Sequence, residues 1–453
     1  MQTVNPTTGK KIKFYPEYSL PKIDSILNRT EKSFQSWRTF SFKERGLLMK
    51  KAAEVLRTNK DQYARLMAQE MGKPMVQGQG EIEKCAIVCD FYAEHAEYFL
   101  TLEPVHTEAN KSFVIYEPLG IVLAVMPWNF PFWQVFRCAA PTLMAGNAVI
   151  LKHASNVSGC ALAIEKIFKE AGFPSALFSN VRVSSSKVKD LIEDPRIAAV
   201  SLTGSTQAGK SIASHAGAVL KKIVLELGGS DPYIILEDAD LENAVEACVN
   251  SRLINGGQSC ISAKRFIVVA SIFKEFEGMF VSKMQLQHMG DPLEEGVTIG
   301  PMARFDLRDH LHWQVNRSIK QGAKLLLGGK IPPGPGAFYP PTVLADVRHG
   351  MLTYQEETFG PVASLIKVAD EQQAIRTAND TIFGLGAAVF SRDIKRAQRI
   401  ACEDLQAGSC FVNDSVKSDP RLPFGGIKQS GYGRELAESG IREFVNVKTI
   451  YIK

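Results

Sequence analysis

A chain of 453 residues is too long for one ordinary core, so two or three domains are expected. With 45% hydrophobic and 22% charged residues it has enough apolar material for sizeable cores, which excludes a disordered chain. The net charge of +5 is spread along the sequence without a Lys/Arg block, which argues against a nucleic-acid partner. The first thirty residues are charged throughout and lack the apolar stretch of a signal peptide. The apolar run at 121–126 is far too short to cross a bilayer, so no membrane partner is expected. Eight cysteines without framework spacing suit reduced thiols and a cytoplasmic location.

Ser41-Phe-Lys-Glu44 has the form of a capping box, and Leu48, Ala52, Val55 and Leu56 recur behind it at helical spacing. Gly78-Gln-Gly80 lacks the third glycine of a dinucleotide fingerprint and reads as part of a helix. Cys85 and Cys89 share a helix face, but without further ligands nearby they read as core. From about residue 113 short β-rich runs alternate with helices. The runs 113–116, 121–125 and 148–151 predict strands. A helix over 158–171 is stopped by Gly172 and Pro174, and 198–202 and 222–225 are further strands. This alternation predicts a doubly wound α/β domain with a mainly parallel sheet. A second α/β run begins near 232–235 and continues to about 435. Within it, Gly328-Gly-Lys330 lacks the spacing of a P-loop, and His310 and His312 stand two apart on a predicted helix, where they cannot face one ligand. No metal site is expected.

Three stretches carry chemistry. Cys260 lies in Asn255-Gly-Gly-Gln-Ser-Cys-Ile261, where two glycines let ligands approach the backbone and a loop thiol can become reactive. Glu226 follows the apolar run 223–225 and precedes two glycines, at a strand end where α/β sheets place their sites; partial burial would raise it toward a general base's working range. Asn129 stands in Pro127-Trp-Asn-Phe-Pro131, a rigid turn that can hold an amide as an oxyanion donor. Alone, each has a plainer reading: a core thiol, a solvated strand end, a packed aromatic turn.

Their joint order and spacing resemble the aldehyde dehydrogenase superfamily over nearly the whole chain. Supporting motifs are Thr203-Gly-Ser-Thr206, Glu357-Thr-Phe-Gly-Pro361 and Pro423-Phe-Gly-Gly-Ile-Lys-Gln-Ser-Gly431. The resemblance implies a Rossmann-type cofactor domain (1–100 and 119–228), an α/β catalytic domain (229–435) and a β-arm (101–118 and 436–453) that assembles homodimers or homotetramers. It implies Cys260 as nucleophile, Glu226 as general base, and Asn129 with the Cys260 backbone N–H as oxyanion hole. Trp128, Lys152, Gly204, Ser205, Leu227, Glu357 and Phe359 fall where the family holds NAD or NADP. Aldehyde oxidation would run through a thiohemiacetal and a thioester on Cys260.

The family usually carries Lys-Pro-x-Glu after the third strand; here Lys152-His-Ala-Ser155 replaces a carboxylate that would repel a 2′-phosphate. NADP should therefore be accepted and even preferred, with NAD use left open. Gly-Pro-Met-Ala-Arg-Phe-Asp (300–306) and Leu-Gly-Gly-Ser-Asp-Pro (227–232) resemble in particular the bacterial short-chain succinate-semialdehyde dehydrogenases. That likeness implies Arg137, with Trp133 and Ser418, as the site of the substrate's distal carboxylate; the plainer reading of Arg137 is a snorkelling surface residue. Ile254 and Ser262 stand where some relatives have a second arginine and a redox-switch cysteine. Other ω-acid or medium-chain aldehydes, a thiol esterase and a non-catalytic relative are the rival readings.

Overall fold

The computed structural model describes all 453 residues. Four sheets organise it. A six-stranded sheet runs in the order Gly431–Tyr432, Lys222–Glu226, Ile197–Thr203, Ile121–Met126, Ala148–His153, Phe178–Asn180, and every pair is parallel except the first. Its strands are apolar on both faces because helices cover both, as a parallel sheet requires. The central strand Ile121–Met126 is followed in the chain by a strand on one side and later by a strand on the other. The crevice at its carboxyl end is therefore a topological switch point. Residues 127–129, 152–155 and 204–205 all leave strands at that edge.

A seven-stranded sheet takes the order Lys324–Leu327, Thr342–Ala345, Val362–Val368, Arg265–Val269, Pro232–Ile235, Gly386–Phe390, Ser409–Val412, and is parallel apart from its first pair. Separate apolar cores fill its two faces. The short segment from Leu227 to Asp231 connects the sheets directly. An antiparallel arm joins Glu103–Pro104, Lys111–Pro118 and Val445–Ile452, and a small hairpin pairs Gln2–Val4 with Lys11–Phe14.

The capping box forms as expected. Glu44 N–H donates to Ser41 Oγ at 3.3 Å, and Ser41 N–H donates to Glu44 Oε2 at 2.8 Å, opening the helix Phe42–Thr58. Cys85 and Cys89 are fully buried on the helix Met75–Phe99, which also contains Gly78 and Gly80. The chain's C-terminal fifth divides differently from its sequence blocks. Gly431–Tyr432 adds an antiparallel strand to the first sheet, and Phe424, Leu436, Ile441 and Phe444 enter the first core. Only Val445–Ile452 belongs to the arm. The reason is burial: the short helix Ala437–Arg442 has an apolar side that the first core covers.

Candidate active site

The cysteine loop hangs between the carboxyl edge of the first sheet and the amino edge of the second. After the helix Leu241–Leu253, Asn255, Gly256 and Gly257 take φ of 53°, 61° and 75°. A Cβ at Gly257 would run into the Gly360 carbonyl, so that position requires glycine for space as well as conformation. Two buried cations tie the loop in place of a regular element. Lys264 Nζ donates to the carbonyls of Ser259 (3.0 Å), Cys260 (2.8 Å) and Ser262 (3.0 Å). Arg252 donates to the Gly257 carbonyl and to Ser262 Oγ, both at 2.7 Å. Ser262 is thus a buried brace of the loop.

Asn129 faces this loop from the first sheet. Its Nδ2 donates to the Gln258 carbonyl at 3.1 Å, and Asn255 Nδ2 donates back to the Asn129 carbonyl at 2.7 Å. One Nδ2–H of Asn129 remains, and the Cys260 backbone N–H donates to no protein acceptor. Those two donors are the pair an oxyanion needs. Below them the buried His153 fixes the Pro127–Pro131 turn: its Nε2 donates to the Pro131 carbonyl at 2.9 Å, while Nδ1 accepts from Ala154 N–H at 2.9 Å. Burial pulls this imidazole down to about 4, so it is a neutral strut.

Glu226 closes its strand fully buried, and neither carboxyl oxygen has a well-formed hydrogen bond. Burial pushes its carboxyl up to about 8, against the pull of Arg137 and with the push of Glu435. The Cys260 thiol is likewise pushed up to about 12 by burial, while Arg137 opposes and Glu226 adds to the shift. The loop thiol is only half-buried and lines the cavity, but burial by the surrounding groups raises its pKa against the pull of Arg137 and Lys264, so a base must assist its ionisation.

Arg137 is not a snorkelling surface residue. It is buried on the helix Trp133–Met144, ion-paired with Glu435, and donates to Thr203 Oγ1 at 3.2 Å. Burial opposes its charge, but Glu435 and Glu226 hold its pKa above the ordinary arginine value. The amino end of its helix is capped by Glu81, which accepts from Phe132 N–H (2.8 Å) and Trp133 N–H (2.9 Å) and pairs with the buried Lys73. Trp133, Arg137, Ser418, Phe424 and Cys260 line one cavity of about 570 Å³. The three residues implied for the substrate's far end therefore share a chamber with Cys260.

The whole chain also has close counterparts among known proteins. The model of the Aldehyde dehydrogenase family matches residues 1–450. The chain belongs to the aldehyde dehydrogenase family. It is 48% identical over 450 residues to a probable succinate-semialdehyde dehydrogenase [NADP(+)] of Synechocystis sp., covering 99% of each chain. It is 45% identical to a succinate semialdehyde dehydrogenase [NAD(P)+] of Escherichia coli, covering 99% of this chain and 97% of the relative. The crystal structure of a succinic semialdehyde dehydrogenase from Streptococcus pyogenes in complex with NADP+ superposes with a TM-score of 0.97 at 37% identity, covering 100% of this chain and 99% of that one.

Within this aldehyde dehydrogenase, the residues around the switch point fit a dinucleotide. A Cβ at Gly204 would meet nothing closer than a Leu202 methyl at 3.5 Å, so a ligand can approach the backbone there. Ser205 caps the helix Thr206–Ala218 by accepting from Ala208 N–H at 3.3 Å, which leaves a helix amino end facing the crevice. Leu227 seats on Gly209, where a Cβ would meet its methyls at 2.6 Å. Trp128 and Phe359 meet edge to face at 5.8 Å on the crevice wall. Lys152 is half-buried, with burial lowering its ammonium, and Ser155 is exposed at the start of the turn after its strand. Glu357 accepts from Gly229 N–H at 3.0 Å and pairs with Lys264 at 3.7 Å.

Sequence reading missed His153, Asn255, Gln258, Lys264, Glu81 and Glu435. Glu81, Asn255, Gln258 and Glu435 bind groups 45 or more residues away, which no local pattern marks, whereas the hydrogen bonds of Lys264 fall within its own loop and depend on how that loop folds back. The departure from Lys-Pro-x-Glu at position 153 was the one available signal.

Proposed function

We propose that the protein oxidises succinic semialdehyde to succinate, with NADP preferred and NAD accepted, as a cytoplasmic enzyme. The observation that carries this reading is the single cavity that joins Cys260 to the Arg137, Trp133 and Ser418 wall. Such a chamber suits a short aldehyde with a carboxylate at its far end. On the cofactor side, Ser155 offers a hydroxyl where a carboxylate would repel a 2′-phosphate, and Lys152 lies near in sequence. The domain around the six-stranded sheet would hold the dinucleotide through Trp128, Lys152, Ser155, Gly204, Ser205, Leu227, Glu357 and Phe359. The domain around the seven-stranded sheet would present the nucleophile.

In this mechanism Cys260 Sγ bonds to the aldehyde carbon. Its proton must leave a thiol pushed up to about 12, and the neighbouring Glu226 carboxylate is the base that can take it. The new oxyanion lies between the free Asn129 Nδ2–H and the Cys260 N–H. When bound, the dinucleotide supplies the acceptor for the hydride that the substrate carbon gives up. Cys260 then carries the acyl group as a thioester. Glu226, having passed the thiol's proton to solvent, deprotonates a water that adds to this carbonyl, the same donors hold the second oxyanion, and Sγ leaves and regains a proton from Glu226 as succinate is freed.

The arm supports a homodimer or homotetramer. Its strand Val445–Ile452 is an edge with one side unpaired, and Val447, Tyr451 and Ile452 are exposed on it. The cavity also has room for longer ω-acid aldehydes, which is the second reading. Steady-state comparison of succinic semialdehyde, its one-carbon-longer homologue and butanal, each with NADP and NAD, separates these. The expected result is the highest kcat/KM for succinic semialdehyde with NADP; equal values for butanal would remove the acid-aldehyde reading.

A further inference from the structure

Three cations line the cavity, and two are already neutralised. Arg137 is paired with Glu435, and Lys417 with Asp414 at 2.7 Å. Lys84, on the helix Met75–Phe99, forms no ion pair. Its Nζ donates to Ser418 Oγ at 2.7 Å and stands over the Trp133 ring, 4.2 Å from its centre. The carboxylates around it are committed elsewhere: Glu81 to Lys73 and the neighbouring helix end, Asp419 to Arg421 at 2.7 Å. Burial, with Arg137 beside it, pulls the Lys84 ammonium down to about 8, as befits a cation without an opposing charge. Lys84 thus gives the Trp133–Ser418 part of the cavity wall a net positive charge, which the compensated Arg137 cannot provide. With one N–H used, two remain, and the Ser418 hydroxyl keeps its own proton to donate.

We propose that the Lys84 ammonium and the Ser418 hydroxyl together receive the distal carboxylate of the substrate, making Lys84 a specificity-determining residue. The ring of Trp133 holds the ammonium in place, and the bound carboxylate supplies the missing counter-charge. This rests on the acid-aldehyde reading above.

The test compares Lys84→Met and Lys84→Arg with the unaltered enzyme, using succinic semialdehyde and butanal. Methionine keeps the apolar stem, and arginine restores the charge. The expected result for Lys84→Met is a fall of about 30-fold in the ratio of kcat/KM for acid-aldehyde over butanal, carried mainly by KM, with substantial recovery in Lys84→Arg. An unchanged ratio in Lys84→Met overturns the role of Lys84 while the acid-aldehyde reading stands. Parallel loss for both substrates also overturns it, since a general packing defect does not discriminate. An unaltered enzyme with no preference for the acid-aldehyde overturns both.

Discussion

Two sets of buried polar groups meet at this site, and they are buried to a similar degree. In the bracing set, Lys264 makes three hydrogen bonds, Lys73 pairs with Glu81, and Asn255 and Asn129 bind across the two loops. In the reacting set, Glu226 has neither oxygen well bonded, and the Cys260 N–H has no acceptor. Donors spent on carbonyls and carboxylates hold geometry, whereas the Glu226 carboxylate and the Cys260 N–H are left open to receive a proton or a substrate oxygen. Leaving a buried polar group unpartnered costs about 1–3 kcal/mol, a cost worth bearing where a substrate atom or a proton is to be received.

The largest break in that contrast is Cys260→Ser. A hydroxyl at the same position is a far poorer nucleophile, so aldehyde oxidation should fall by at least about 10³-fold. Mass spectrometry of the unaltered enzyme with substrate should locate an acyl adduct on Cys260, and an adduct elsewhere would remove it as nucleophile.

Glu226→Gln sharpens the contrast through pH. With its carboxyl pushed up to about 8, Glu226 is charged in a growing fraction as pH rises through 8, so the hydrolytic step should accelerate across that window. The glutamine variant should lose about 10²- to 10³-fold in turnover and show no such rise. Stability runs the other way. The unfolded chain releases this proton in the ordinary carboxylate range and the folded chain only near 8, so burial of Glu226 costs stability progressively between those values as pH rises. Glu226→Gln should therefore melt higher than the unaltered enzyme at pH 9. A lower melting temperature there would contradict the unpartnered carboxylate.

The smallest effect is expected at the exposed Ser155. Ser155→Glu should raise KM for NADP relative to NAD about tenfold, or about 1.4 kcal/mol, by charge repulsion with the 2′-phosphate. Titration of both cofactors measures it, and unchanged discrimination would separate Ser155 from cofactor choice.

Much of this was legible in sequence because it is local. The capping box at Ser41–Glu44, the strands ending at Met126 and Glu226, and the Gly-Gly turn before Cys260 each declare themselves within a few residues. Lys84 declares nothing: on a helix of 25 residues it is one polar position among several. Its significance comes from Trp133 and Ser418, 49 and 334 positions away by sequence number. Arg137 was marked by its position, but its Glu435 partner was not.

The sequence by itself determined the α/β alternation, the chemistry-bearing loops and the family, because hydrophobic period, turn residues and reactive motifs are written in consecutive positions. Only the tertiary structure decided which charges are free. Pairing and burial are properties of surroundings gathered from distant segments, and a side chain's electrostatic state is set by what folds against it.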